Sequence, residues 1–208
     1  MEDVDIDTLK ISFIGGMSVG KSSIIRRYIH DQFEVVSQSN ITANFESKVI
    51  KYNGKAITIE LWDTAGQEKY RSIGKLFYKD SYIICLVYDI AKRESFQDLK
   101  DKWYKDVSIY GEKYKIIAIV GNKLDLYETE EVSEEEERNF AKEVKAFNFR
   151  VSAKTGDNIN KLIDNLVKIF FGDEFNESLL AIKRIKTDNK SIKIRHTVLK
   201  KKNMRCCR

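Results

Sequence analysis

Eight consecutive residues hold the densest chemistry in the chain: Gly15-Gly16-Met17-Ser18-Val19-Gly20-Lys21-Ser22. An apolar run at 9–14 precedes them, and a stretch of helical spacing at 23–29 follows. Glycines at both ends allow backbone angles that turn successive N–H groups inward, and the helix behind adds the positive end of its dipole. Such a ring of donors suits a polyphosphate. Lys21 would reach the terminal phosphates, and Ser22 offers its hydroxyl to Mg²⁺. Gly15, Ser18, Val19, Gly20 and Ser23 complete the expected phosphate contacts.

In its strand–loop–helix setting, G-x-x-x-x-G-K-[ST] is the phosphate loop of nucleoside triphosphatases. Three further segments extend the chemistry. Asp63 ends an apolar strand and precedes Thr64-Ala65-Gly66-Gln67, so its carboxylate can hold Mg²⁺ through water. The Gly66 N–H can approach a γ-phosphate, and Gln67 can donate and accept hydrogen bonds at an attacking water. Asn122-Lys123-Leu124-Asp125 follows a second apolar strand. The Asp125 carboxylate can accept from the N1–H and the exocyclic amine of guanine, whereas adenine has neither donor there. Ser152-Ala153-Lys154 ends the last strand, and its Ala153 N–H would meet the guanine carbonyl.

Elements that position these loops are legible from periodicity. Strands are predicted at 9–14, 45–52, 56–62, 82–88 and 116–120, with a short one ending at Val151; helices are predicted at 20–30, 93–110, 133–147 and 159–170. Asn53-Gly54 suits a type I′ hairpin turn, making the second and third strands antiparallel. Ser133 and Glu136 form a capping-box pattern. Alternating strands and helices call for a doubly wound, mostly parallel six-stranded sheet with one antiparallel edge hairpin and helices on both faces. Ligands in such sheets bind beyond the carboxyl ends of the strands, where all four motifs fall.

Composition narrows the class. A length of 208 residues fits one domain plus an extension. No apolar stretch approaches a membrane span, Met1-Glu2-Asp3 does not read as a signal peptide, and Glu2 excludes N-myristoylation. Three cysteines, Cys85, Cys206 and Cys207, point to a reduced, cytosolic chain. From Leu179 onward eleven Lys and Arg face one acid, Asp188, a net +10; against the whole-chain +5, residues 1–178 therefore carry −5. A basic tail on an acidic body argues against nucleic-acid binding.

All four motifs in this order make the chain similar to the Ras superfamily of small GTPases. Within it the chain resembles the Rab family, through Trp62-Asp63-Thr64-Ala65-Gly66-Gln67-Glu68-Lys69-Tyr70-Arg71-Ser72-Ile73 and the terminal cysteine pair. The resemblance implies a guanine-nucleotide domain at 8–172, a flexible N-terminus at 1–7 and a flexible basic tail at 173–208. It implies that Phe33 packs against guanine and that 31–45 and 66–79 are the two switch segments, ordered by the γ-phosphate. Phe45, Trp62 and Phe77 match the apolar triad that meets effectors. In the catalytic roles it puts Gln67 and Lys21; for partners it implies an exchange factor, a GTPase-activating protein, effectors and a prenyl-binding chaperone, acting on a monomer that cycles between the cytosol and the cytoplasmic face of intracellular membranes.

Two positions depart from that pattern. Asn40, followed by Ile41-Thr42, stands where relatives place the Mg²⁺-binding threonine of switch I; its side-chain carbonyl can still coordinate, or Thr42 can substitute. Met17 stands where relatives have a small residue beside the γ-phosphate, so slow hydrolysis is expected. These departures leave a GTP-binding module with little hydrolysis as an alternative. A nucleotide kinase is disfavoured, because no acceptor domain or arginine-rich lid is visible. Residues 200–208, Lys200-Lys201-Lys202-Asn203-Met204-Arg205-Cys206-Cys207-Arg208, resemble double-cysteine endings in which both thiols carry geranylgeranyl groups; two lipids anchor stably where one does not, and nearby basic residues add attraction to an anionic leaflet.

Overall fold

The computed structural model describes residues 8–34, 44–64, 80–110 and 116–172. Six strands form one sheet: β1 (Thr8–Ile14), β2 (Asn44–Tyr52), β3 (Lys55–Asp63), β4 (Ile83–Asp89), β5 (Ile116–Asn122) and β6 (Phe147–Arg150). Their order is β2-β3-β1-β4-β5-β6, with only β2 antiparallel to its neighbour among the described pairings. The hairpin turns at Asn53 and Gly54, with φ of 47° and 80°, the two positive values a type I′ turn needs.

The central strands are buried on both faces, and their period-2 alternation sorts side chains into two cores. Leu9, Ile11 and Phe13 of β1 and Ile83, Cys85 and Val87 of β4 face α1 (Lys21–His30) and α4 (Ile159–Phe171). On the other face Ile14, Ile84, Leu86 and Tyr88 meet α2, which begins at Arg93–Asp98, and α3 (Glu134–Glu143). α2 runs Arg93–Asp98, passes through a π turn at Leu99–Tyr104 and resumes at Lys105–Tyr110. Each parallel strand runs towards the same rim, so the loops after β1, β3, β5 and β6 gather there. At the opposite rim, Tyr52 stacks on Phe171 with centroids 4.8 Å apart, and Tyr82 packs on Phe170 at 5.2 Å. α4 therefore ends far from the gathered loops, closed by Gly172 at φ 87°.

Two sequence expectations are corrected. The helix expected to reach Phe147 stops at Glu143, and Lys145 takes a left-handed φ of 55°. Phe147 and Phe149 instead pair with Ala118 and Val120, because extending the buried sheet outweighs continuing an exposed helix. The capping box forms by half: the Glu136 N–H donates to Ser133 Oγ at 3.2 Å, but the Glu136 carboxylate accepts both Arg93 terminal nitrogens, at 3.0 and 2.9 Å. An unforeseen 3₁₀ turn covers Leu124–Thr129.

Candidate functional site

Backbone geometry builds the first loop. Gly15, Ser18 and Gly20 take φ of 154°, 60° and 94°, and a Cβ on Gly15 would sit 2.2 Å from the Val87 carbonyl oxygen. α1 starts at Lys21 with no side-chain cap and no acid in its first turn. By contrast, α3 is capped by Ser133 and carries four glutamates in its first turn. The positive end of α1 is thus left for an external anion, whereas that of α3 is neutralised internally. Val19 is buried, Ser23 half-buried in the first helical turn, and Met17 is 57% exposed on the loop.

Lys21 is buried, and its Nζ donates to the carbonyls of Gly15 at 3.0 Å and Gly16 at 2.8 Å. Burial lowers its pKa to about 8, against the opposing pull of Asp63. Asp63 comes to the same place from β3: Ser22 Oγ donates to Asp63 Oδ2, and Thr64 Oγ1 fixes the strand end by donating to the Phe13 carbonyl at 2.8 Å. A cavity of about 510 Å³ opens beside Ser22 and Asp63, walled by Arg26, His30 and Phe45. Among the described residues no cluster of three His, Cys, Asp or Glu is preformed for a metal. One hydroxyl and one carboxylate do suit Mg²⁺, which takes few protein ligands and completes its shell with phosphate oxygens and water.

The other loops join this one through Asn122. Its Nδ2 donates to the Val19 carbonyl at 2.8 Å and its Oδ1 accepts the Ala153 N–H at 3.1 Å, so one buried amide ties the phosphate loop to the loop after β6. That N–H, expected to face a guanine carbonyl, is held by Asn122, so a base carbonyl must share or exchange the bond. Asp125 accepts Ser152 Oγ at 2.6 Å and lies 3.5 Å from Lys154 Nζ. A carboxylate has about four lone-pair directions, so acceptor capacity remains for a base edge. Phe33 is half-buried and packs on the first core. Phe45 and Trp62 stack at 4.9 Å on the β2–β3 edge, with Phe45 53% exposed. Asn40, Thr42, Gly66, Gln67, Phe77, Cys206 and Cys207 lie outside the described residues.

Sequence reasoning missed the supports. Asp89, at the end of β4, pairs with Lys123 Nζ at 2.6 Å; the clue was an acid at a strand end opposite Asn122 in the ladder. Arg27 of α1 donates to two carbonyls of the loop after β6, and nothing in its helical position hinted at this. Behind the base loops, Glu137 is fully buried and accepts Arg150 Nε at 2.7 Å and Tyr88 Oη at 3.0 Å. Arg150 also pairs with Glu130 at 3.0 Å. Burial raises the Glu137 carboxyl to about 7, against hydrogen bonds from Arg150 and Tyr88 and with a further push from Glu134.

A parallel sheet whose first loop carries this backbone ring, lysine and serine defines a phosphate-loop nucleoside triphosphatase domain. The Ras family model matches residues 10–172. Human Ras-related protein Rab-22A is 38% identical over 154 residues, covering 74% of this chain and 79% of the relative. Human Ras-related protein Rab-30 is 36% identical over 166 residues, with 80% and 81% covered, and mouse Ras-related protein Rab-12 is 36% identical over 165 residues, with 77% and 68% covered. The chain belongs to the Ras family and is a Rab-type small GTPase. It is accordingly a GTP hydrolase that binds guanine nucleotides, works with regulators and effectors, and acts as a switch in vesicle traffic. No helix among the described residues is long and apolar enough to cross a membrane.

Proposed function

We propose that residues 8–172 form the guanine-nucleotide body, with the phosphates on Gly15, Ser18, Val19, Gly20, Lys21, Ser22 and Ser23. Guanine lies against Phe33, Asn122, Lys123, Asp125, Ser152, Ala153 and Lys154, and Mg²⁺ is held by Ser22, by Asp63 through water, and by Asn40 or Thr42. The observation that supports the reading is the Asn122 bridge between Val19 and Ala153, which ties the loop expected to hold the phosphates to the loop expected to meet the base.

In hydrolysis the γ-phosphoryl group of GTP passes to water, leaving GDP and phosphate. Lys21 turns its ammonium from the Gly15 and Gly16 carbonyls to the phosphate oxygens and stabilises charge that builds there. Gly66 holds the γ-phosphate through its N–H, and Gln67 orients the water. Bound Mg²⁺ supplies neutralisation of the phosphate charge. An exchange factor, an activating protein and effectors act on the switch segments, with Phe45, Trp62 and Phe77 as the effector face. The tail at 173–208 carries geranylgeranyl groups on Cys206 and Cys207, is shielded by a prenyl-binding chaperone in the cytosol, and anchors the monomer to the cytoplasmic face of intracellular membranes.

Asp125→Asn tests the base assignment. An asparagine amide donates where the guanine amine also donates, but matches the C2 carbonyl of xanthine. GDP affinity should fall about a hundredfold or more, with xanthosine diphosphate overtaking it in competition binding. Unchanged GDP affinity in this variant, or preference of the unmodified protein for ATP, overturns the reading.

A further inference from the structure

Arg27 stands at the middle of α1, the helix whose first turn belongs to the phosphate loop. Its side chain is 16% exposed and spreads in two directions. Nε donates to the Ala153 carbonyl at 2.9 Å and Nη2 to the Lys154 carbonyl at 2.8 Å, while Nη1 reaches the Asp31 carbonyl at 2.9 Å and its Oδ1 at 3.1 Å. Asp31 is the C-cap of α1 and returns its own N–H to the Arg27 carbonyl at 3.0 Å. The guanidinium is therefore anchored on its own helix while gripping a loop 126 and 127 residues away in sequence.

We propose that Arg27 is a positioning residue for guanine, fixing the loop after β6 so that the Ala153 N–H and the Ser152–Asp125 pair stay in register with the phosphate loop. This rests on the base assignment above. Both gripped carbonyls follow directly after the Ala153 N–H in the chain, so holding them restrains the segment that carries this donor. Only a planar, forked cation spans two carbonyls at fixed spacing; an ammonium on the same stem supplies the charge without the fork. Asn122 holds the preceding peptide unit, at the Ala153 N–H. Ala153 is thus gripped at its N–H and at its C=O by two different elements, and losing the Arg27 grip loosens the base end while leaving the Lys21 and Ser22 contacts of the phosphate end in place.

The test uses full-length protein loaded with N-methylanthraniloyl-GDP and chased with excess GDP, comparing wild type, Arg27→Lys, Arg27→Gln and Asp125→Asn. Both Arg27 variants should release the label about tenfold faster. The acceleration given by EDTA, which reports the Mg²⁺ and phosphate end, should keep its wild-type ratio. Wild-type release from Arg27→Lys assigns only a charge role and overturns the proposal, and an altered EDTA ratio overturns it in favour of general loosening of α1. Should Arg27→Gln fail to fold, Arg27→Lys, which keeps stem and charge, decides alone. If Asp125→Asn shifts base preference while both Arg27 variants release normally, Arg27 is wrong and the pocket stands; if Asp125→Asn changes nothing, the base assignment has failed and Arg27 loses its target.

Discussion

The two ends of the proposed nucleotide pocket are built by different means. At the phosphate end one contiguous segment, 15–22, supplies backbone angles, a lysine and a serine, with Asp63 as the only distant acid brought in among the described residues. At the base end almost nothing is local: Asn122, Asp125, Ser152 and Ala153 are joined by bonds across two strand ends, and Asp89, Arg27 and the Glu137–Arg150 pair brace them from outside. A backbone ring tolerates changing occupants, because peptide N–H groups read charge and not identity. A cross-braced edge reads identity, because each donor and acceptor is held in place before the base arrives. The difference fits a switch that keeps its base while its phosphate count changes.

Gly20→Ala should break the distinction most severely, since Gly20 belongs to one end and touches the other. A Cβ there would lie 2.2 Å from Asn122 Nδ2, on a residue at φ 94°. Stability should fall by about 2–4 kcal/mol and GDP affinity by about a hundredfold. Gly54→Ala, at φ 80° with nothing within 4 Å, should lose only about 1 kcal/mol in the same denaturation assay. Equal losses would remove the claim that Gly20 couples the ends.

Asp89→Asn sharpens the contrast. It frees Lys123 from its carboxylate partner, and GDP binding by titration calorimetry should weaken about tenfold. A larger effect on Mg²⁺ dependence than on nucleotide affinity would place Asp89 at the wrong end.

Glu137 gives the base end a pH signature. Its folded pKa of about 7 lies above the ordinary 4.5, so between those values the native state binds the proton more tightly than the unfolded chain. Stability from this group is full below about 4.5 and declines as pH rises through 7. Glu137→Gln should flatten the slope of stability between pH 5.5 and 7 by about 1 kcal/mol, read from urea midpoints. An unchanged slope would show that the carboxyl keeps its charge throughout.

Met17→Ser is the mildest probe and touches the phosphate end alone. Shortening this exposed side chain should raise single-turnover hydrolysis with an activating protein by about threefold. Equal rates would acquit the methionine.

The sequence exposed what is contiguous and hid what is assembled. The 15–22 loop, the Asn53-Gly54 turn and the buried runs of β4 and β5 announce themselves because their rules are local. The strand at Phe147–Arg150 was misjudged at its start, since its pairing with β5 is decided by a segment about thirty residues earlier. Glu136 looked like half of a capping box until Arg93, more than forty residues away, claimed its carboxylate. Asp89 and Arg27 sit in ordinary strand-end and helix positions, and only the folded chain shows what they grip.

The stacked pair Tyr52–Phe171 fixes a direction for the whole molecule. It seals the end of α4 to the hairpin rim, so Gly172 lies across the sheet from the loop at 15–22. The last described residue of the body and the loop that carries Lys21 are thus held on opposite rims of a single sheet.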